Sequence, residues 1–370
     1  MRKTAVLLII CMLMASLLAF VSCSENEPIE TQPSETDTQA PTDKPTNKPT
    51  QKPTEKPTEK VEGGKEIDIY LIAGQSNASG YTGIDWQVLQ SLWSDCTVGS
   101  EYVLYAGKAE YDDGQVNKYN EVSWKNAKGG QGIGANSMGA EVGMAKFLAE
   151  EYYNEESGKV AGIIKFAHGG TSLLDKKTGS NAINGNWVSP SYAQQLGVSF
   201  SGKTGGLYRL LIAQVKKNLQ ELRQMGYDKI NIKGLFWMQG ESDRQQTVEY
   251  KKAFKCFAND IRDDLSEELG MELYELPIII GEISKTFGGA DENSIAINEA
   301  FIAVQRELAE EIYEVYTVES SKYEITTWDA ATGTSVNDPR QKDSAHWNTE
   351  KMFAIGELVG KCILDNILEQ

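Results

Sequence analysis

Histidine is almost missing from this chain of 370 residues, which has only His168 and His346. Imidazole is the usual base near neutral pH and the commonest metal ligand, so any such chemistry falls to these two positions. Cysteine is nearly as scarce. Of five, Cys11 and Cys23 lie near the start, while Cys96, Cys256 and Cys362 are far apart and have no histidine neighbours. That spacing holds no zinc pattern, so no metal or other cofactor is expected. At most one disulfide can form, and three buried thiols are the expected state. Positive charge is short as well, with 36 Lys+Arg against 53 Asp+Glu and a net charge of −17. An acidic surface repels phosphate backbones and anionic head groups, which argues against nucleic acid and against direct docking on a membrane. Proline is rare where a core could form, since seven of the ten fall before residue 62.

What the chain does have begins with Arg2 and Lys3, followed by an uncharged apolar run from Ala5 to Val21. A positive start and a short apolar middle fit a secretory signal better than a bilayer span. Ala19-Phe20-Val21-Ser22-Cys23 places small residues before a cysteine, which resembles a bacterial lipoprotein signal. Residues 1–23 are therefore expected to be that signal, with Cys23 lipidated. Phe20 departs from the usual aliphatic residue. Residues 24–62 repeat Pro-Thr-x-Lys from Pro41 to Pro57 and offer nothing to bury. They are expected to be a polyproline-like spacer, reaching roughly 60 Å over the five repeats at about 3 Å per residue. The folded domain is expected at 63–370.

In that domain apolar runs alternate with longer helix-like segments, the pattern of βαβ units around a mainly parallel sheet. Strands are expected at 67–73, 160–166, 230–238, 276–283 and 313–318. Helices are expected at 139–153, 207–225, 247–269, 294–311 and 349–368, and 86–136 reads as long loops with room for a small hairpin. Five strands with helices between them suit an α/β, three-layer, flavodoxin-like hydrolase. Right-handed crossovers would bring the turns at Gly74, Gly169 and Gln239 to one edge.

Ile67 to Ala73 followed by Gly74-Gln75-Ser76-Asn77 puts Ser76 just past the carboxyl end of a buried strand, where open α/β sheets bind their ligands. A serine hydroxyl needs a base, and the base needs an acceptor on its other nitrogen. Asp343-Ser344-Ala345-His346 supplies both, so Ser76, His346 and Asp343 form the candidate nucleophile, base and orienter. His168 has no acid near it in sequence and suits a pocket wall better. Activity is expected to rise with pH as a group near the ordinary histidine value of about 6.5 loses its proton. Glu241 and Asp243 are spaced to hold a loop more readily than to cleave a glycoside. Trp124, Trp187, Tyr192, Trp237 and Trp347 lie in loops or near motifs and have flat faces that could stack on sugar, Trp347 above all.

Four motifs occur in order: Gly74-Gln75-Ser76-Asn77, Lys165 to Leu173 (KFAHGGTSL), Trp237 to Asp243 (WMQGESD) and Asp343-x-x-His346-Trp347-Asn348-Thr349. Together, over about Glu66 to Ile367, they resemble the SGNH-type esterases of carbohydrate esterase family 6 and the related sialate O-acetylesterase-like domains. The resemblance implies the SGNH hydrolase fold and a serine esterase without cofactor or metal, acting on acetylated carbohydrate such as acetylxylan or a sialylated glycan. It also implies an oxyanion hole of the Ser76 N–H, the Gly169 N–H and the Gln239 side-chain amide. Gly170 is the neighbouring choice for the second donor, and Gln239 stands where many relatives carry asparagine. Gln75, Asn77, Gly170, Glu241 and Trp347 are expected to orient the site or touch substrate. The alternative is a glycan-binding module on the same fold, in which aromatic faces bind and the triad is incidental. Contact with a membrane is expected only through the lipid at Cys23, at the outer face of a bacterial cell. Oligomeric state is left open.

Overall fold

A computed structural model describes residues 64–111, 118–329, 334–337 and 343–369. The expected signal at 1–23, its lipidation site Cys23 and the spacer at 24–62 lie outside the described residues.

The central strand β1 (Lys65–Gly74) explains the architecture. Ile67, Ile69, Leu71 and Ala73 pack into one core, and Tyr70 and Ile72 into another. A strand buried on both faces must be covered on both, which requires three layers. β2 (Ser100–Tyr111), β3 (Lys118–Ala127), β4 (Ala161–Ala167), β5 (Tyr227–Met238), β6 (Ile278–Gly281) and β7 (Val315–Val318) complete the sheet. Its order is β3-β2-β4-β1-β5-β6-β7, and every neighbouring pair is parallel except β3 with β2.

The sheet therefore has seven strands where five were expected. The extra pair comes from the segment read as loops, whose hairpin is long enough to join the sheet beside β4. Its sequences mix lysine, glutamate and asparagine among the apolar residues, as edge strands do.

The single turn α1 (Ser76–Ser79) follows β1 directly. α2 (Glu141–Glu151) and α6 (Thr349–Ile363) cover one face of the sheet, and α3 (Gly206–Gln224), α4 (Thr247–Leu269) and α5 (Glu292–Glu311) the other. α2 and α6 touch backbone to backbone through glycine. A Cβ at Gly143 would stand 1.9 Å from the Phe353 carbonyl oxygen, and one at Gly356 would stand 2.2 Å from that of Ala140. α6 also fixes the position of His346, because it begins at Thr349, directly after the His346-Trp347-Asn348 segment. Asn348 caps it, its side chain accepting from the Lys351 N–H at 3.0 Å.

Candidate active site

β1 ends at Gly74, whose φ of +139° only glycine adopts readily, and a Cβ there would lie 2.1 Å from the Met238 carbonyl oxygen. The chain can thus turn tightly across the end of β5, where the Gln75 N–H donates to Met238 O at 3.0 Å. Ser76 opens α1 half-buried, at the first helical position, where a backbone N–H has no intrahelical acceptor. Its hydroxyl and its N–H therefore sit together at the carboxyl edge of the sheet.

The candidate base arrives from the other end of the chain. Thr82 Oγ1 donates to Trp347 O at 2.9 Å, the Asp85 N–H donates to Thr349 Oγ1 at 2.8 Å, and Thr349 Oγ1 donates to Gly83 O at 3.1 Å. These bonds fix the start of α6 against the segment that follows α1. Asn77 completes the clamp, its Nδ2 donating to Ala345 O at 3.2 Å and to Glu241 Oε1 at 2.8 Å. The residue after the candidate nucleophile thus holds the residue before the candidate base.

His346 Nδ1 lies 2.8 Å from Asp343 Oδ2, while Asp343 Oδ1 accepts the N–H groups of Ala345 and His346 at 2.8 and 2.9 Å. Burial pushes the Asp343 carboxyl up, but these hydrogen bonds and the imidazole charge outweigh it and hold the group below the ordinary carboxylate range. An anchored, ionised aspartate on Nδ1 leaves Nε2 to handle protons. Tyr81, whose N–H donates to Ser76 O at 3.3 Å, stacks on the imidazole with centroids 5.1 Å apart and planes 17° apart.

Gly169 belongs to this cluster, since a Cβ on it would meet the Tyr81 hydroxyl at 3.0 Å. Gly170 has a φ of +65° and faces Ser180 instead. His168 is fully buried beneath this turn, its N–H on Gly74 O at 3.0 Å, and so does not line an open pocket.

Gln239 sits at the end of β5 as expected, but its amide is turned inward. Nε2 donates to Asp243 Oδ2 at 2.8 Å and to Thr171 O at 3.1 Å, with Gln75 Oε1 at 3.4 Å. An amide has two hydrogens, so as placed Gln239 has none for a substrate oxyanion. To serve there it would have to leave Asp243. Asp243 is the hub of this brace. It also accepts from the Leu173 N–H at 2.8 Å, from the Ser172 hydroxyl, and from Lys176 Nζ at 2.8 Å. It holds a loop, as the spacing suggested, and Gln75 Oε1 adds to the same brace by accepting the Ser242 N–H at 3.3 Å. Glu241 is buried, and its Oε2 has no hydrogen-bond partner among the described residues. Burial raises its pKa against the opposing pull of Asn77, of the His346 charge and of Arg244.

Trp347 corrects the sugar-stacking expectation. It is 1% exposed and donates from Nε1 to Tyr323 O at 2.7 Å, so it is core. Trp187, Trp237 and Tyr192 are buried too, and the Trp124 indole N–H is held by Asn218 O at 3.2 Å. A binding module relying on these aromatic faces loses its basis. Cys96, Cys256 and Cys362 are free thiols, the first two buried and the third half-buried. Sequence reasoning missed Tyr81 and Arg244. Arg244 had a signal, being the one cation in the loop after β5, whereas Tyr81 lies outside every motif.

The profile described as carbohydrate esterase, sialic acid-specific acetylesterase matches residues 66–365. The chain belongs to this family, SASA. Among solved structures, NanS is 15% identical to this SASA chain, with 82% of this chain and 98% of NanS covered and a TM-score of 0.53. A carbohydrate acetylesterase from Xanthomonas citri is 14% identical, with 82% of this chain and 57% of that one covered and a TM-score of 0.48. A protein from Arabidopsis thaliana is 18% identical, with 81% and 98% covered and a TM-score of 0.47. No curated protein matches. The SASA match takes in β1 through α6, and with them all four motifs.

Proposed function

We propose that this carbohydrate esterase removes O-acetyl groups from sugar hydroxyls through an acetyl-serine intermediate. The carrying observation is the Asn77 clamp, which brings the Ser76 turn and the Asp343–His346 loop together from opposite ends of the folded domain. Ser76 Oγ attacks the acetyl carbonyl while His346 Nε2 takes its proton. The negative oxygen that forms accepts from the N–H groups of Ser76 and Gly169, and the loss of one such donor typically costs about 3 kcal/mol. His346 then returns the proton to the sugar oxygen as the C–O bond breaks. Water, deprotonated by the same nitrogen, attacks the acetyl carbon, and the imidazolium returns that proton to Ser76 Oγ as its bond to the acetyl group breaks and acetate leaves. Asp343 keeps the imidazole in the required tautomer throughout.

The substrate in this reading is an acetylated polysaccharide or sialylated glycan, and the enzyme works at a bacterial outer surface, tethered by a lipid on Cys23 and the Pro-Thr-x-Lys spacer. The deciding test is Ser76→Ala with 4-nitrophenyl acetate. The variant should fold as wild type and lose at least about three powers of ten in kcat. Retention of a tenth of wild-type turnover would remove Ser76 from the mechanism.

A further inference from the structure

Arg244 stands beside this site with most of its donors unused. A guanidinium carries about five N–H donors in a planar fork. The structure commits one, from Nη1 to Phe287 O at 3.0 Å, and no other acceptor takes a hydrogen from it among the described residues. The group also packs over an aromatic ring, the guanidinium carbon sitting 4.8 Å from the centroid of Phe287. Its position is defined as well. The group lies against Gly288, where a Cβ would be 2.9 Å from Nη1 and 3.4 Å from Nη2, and the Gly288 N–H donates to Ser344 O at 3.1 Å. Ser344 lies between Asp343 and His346. Arg244 therefore flanks the catalytic loop at the carboxyl edge of β5 and β6, on the side of Ser76 opposite Gly169.

Two carboxylates act on Arg244 through space, Glu241 and Asp291, and neither forms an ion pair with it among the described residues. Glu241 is already engaged by Asn77, and Asp291 caps α5 by accepting the Ser294 N–H at 3.0 Å. A half-buried cation packed against an aromatic ring, with spare donors in a planar fork, matches a planar anion, which it can bind with two hydrogen bonds at once. A neutral sugar hydroxyl would use only one of them.

Resting on the esterase reading, we propose that Arg244 is the subsite for a carboxylate on the sugar, so that the preferred substrate is an O-acetylated acidic sugar, a sialic or uronic acid, over neutral acetylxylan. The reacting acetyl group lies over Ser76 while the carboxylate of the same residue, or of its neighbour in the chain, meets the guanidinium fork.

The test measures inhibition of 4-nitrophenyl acetate hydrolysis by N-acetylneuraminic acid, by glucuronic acid, and by the methyl ester of each. In the wild type, at least one acid should inhibit about ten- to a hundredfold more strongly than its ester, the range expected for charge-assisted hydrogen bonds. Which acid does so identifies the sugar. Arg244→Ala should bring that ratio to within about twofold of one, and Arg244→Lys should leave an intermediate ratio, because an ammonium lacks the fork. Equal inhibition by acid and ester in the wild type, or an unchanged ratio in Arg244→Ala, would overturn the assignment while leaving the esterase standing. Absence of aryl acetate hydrolysis in the wild type would instead bring down the esterase reading and this inference with it.

Discussion

Replacing Asn77 with alanine should uncouple the two halves of the site, and the cost comes from its contacts. Two hydrogen bonds go, one to the Glu241 carboxylate at 2.8 Å and one to Ala345 O at 3.2 Å. A bond to a charged group contributes about 1.5–3 kcal/mol and a neutral one about 1 kcal/mol. Against this, Asn77 Oδ1 is buried without a partner among the described residues, so removing it returns about 1 kcal/mol. The net loss at neutral pH is about 1.5–3 kcal/mol.

Its pH dependence is the sharper signature. Burial raises the Glu241 pKa in the folded protein. A carboxyl with a raised folded pKa costs nothing below its unfolded value, about 4.3 for glutamate, and costs more as pH climbs toward the folded value. Losing Asn77 raises the folded pKa further and enlarges that cost. Urea denaturation from about pH 4 to about pH 8 should therefore show the difference between Asn77→Ala and wild type small at the acid end and growing with pH. In a Glu241→Gln background the same substitution should cost only about 1 kcal/mol, independent of pH. A pH-independent penalty, or one unchanged by Glu241→Gln, would refute this account. Turnover should fall about ten- to a hundredfold as the Ala345 carbonyl loses its anchor.

Asp343→Asn should lower kcat by about three to four powers of ten while leaving aryl acetate binding nearly intact, as measured by steady-state kinetics. Because the Asp343 carboxyl is held below the ordinary range, its contribution to stability is present above the unfolded value of about 3.9 and lost as pH falls through the folded one, so the variant and wild type should converge in acid. Tyr81→Ala, which removes the ring stacked on His346, should lower kcat about tenfold or more, whereas Tyr81→Phe keeps the ring and should stay within about threefold. Equal losses in both would shift the effect to the hydroxyl. Cys23→Ser should move the protein from the membrane fraction to the medium or leave it unprocessed, as fractionation and N-terminal sequencing would show. A soluble wild-type protein beginning downstream of Cys23 would remove the anchor from the reading.

The elements most legible in the sequence are those whose burial is one-sided or complete. β1, β4 and β5 are apolar runs ended by turn residues, and α3 and α4 keep apolar residues at helical spacing, so their limits are readable to within a few residues. β2 and β3 escape such a reading because an edge hairpin half in solvent mixes Lys, Glu and Asn with Val and Tyr, which weakens the alternation. In the site, the motif residues cluster as their order suggests, but their side chains obey local geometry that no spacing encodes. Trp347 turns inward because its indole N–H finds Tyr323 O, and removal of a core tryptophan typically costs about 3–5 kcal/mol, enough to fix it there. Gln239 turns inward because Asp243 offers a charged acceptor nearby. Tyr81 reaches the imidazole only because the chain reverses at Gly80, whose φ is +88°.

The mooring of His346 to α6 also sets a schedule. The clamp joins residues 268 positions apart, so at about 5–20 residues per second a ribosome makes the candidate base roughly ten to fifty seconds after the candidate nucleophile. During that interval Ser76 is present without the histidine that the proposed mechanism gives it as a base. In the folded chain His346 is held next to the glycine contact between α6 and α2 and the bond from Thr82 Oγ1 to Trp347 O, so its placement should follow the docking of α6. In the proposed mechanism, onset of hydrolysis would therefore signal that the last helix has docked, and the growing chain would be harmless to acetyl esters around it until it no longer needs to fold.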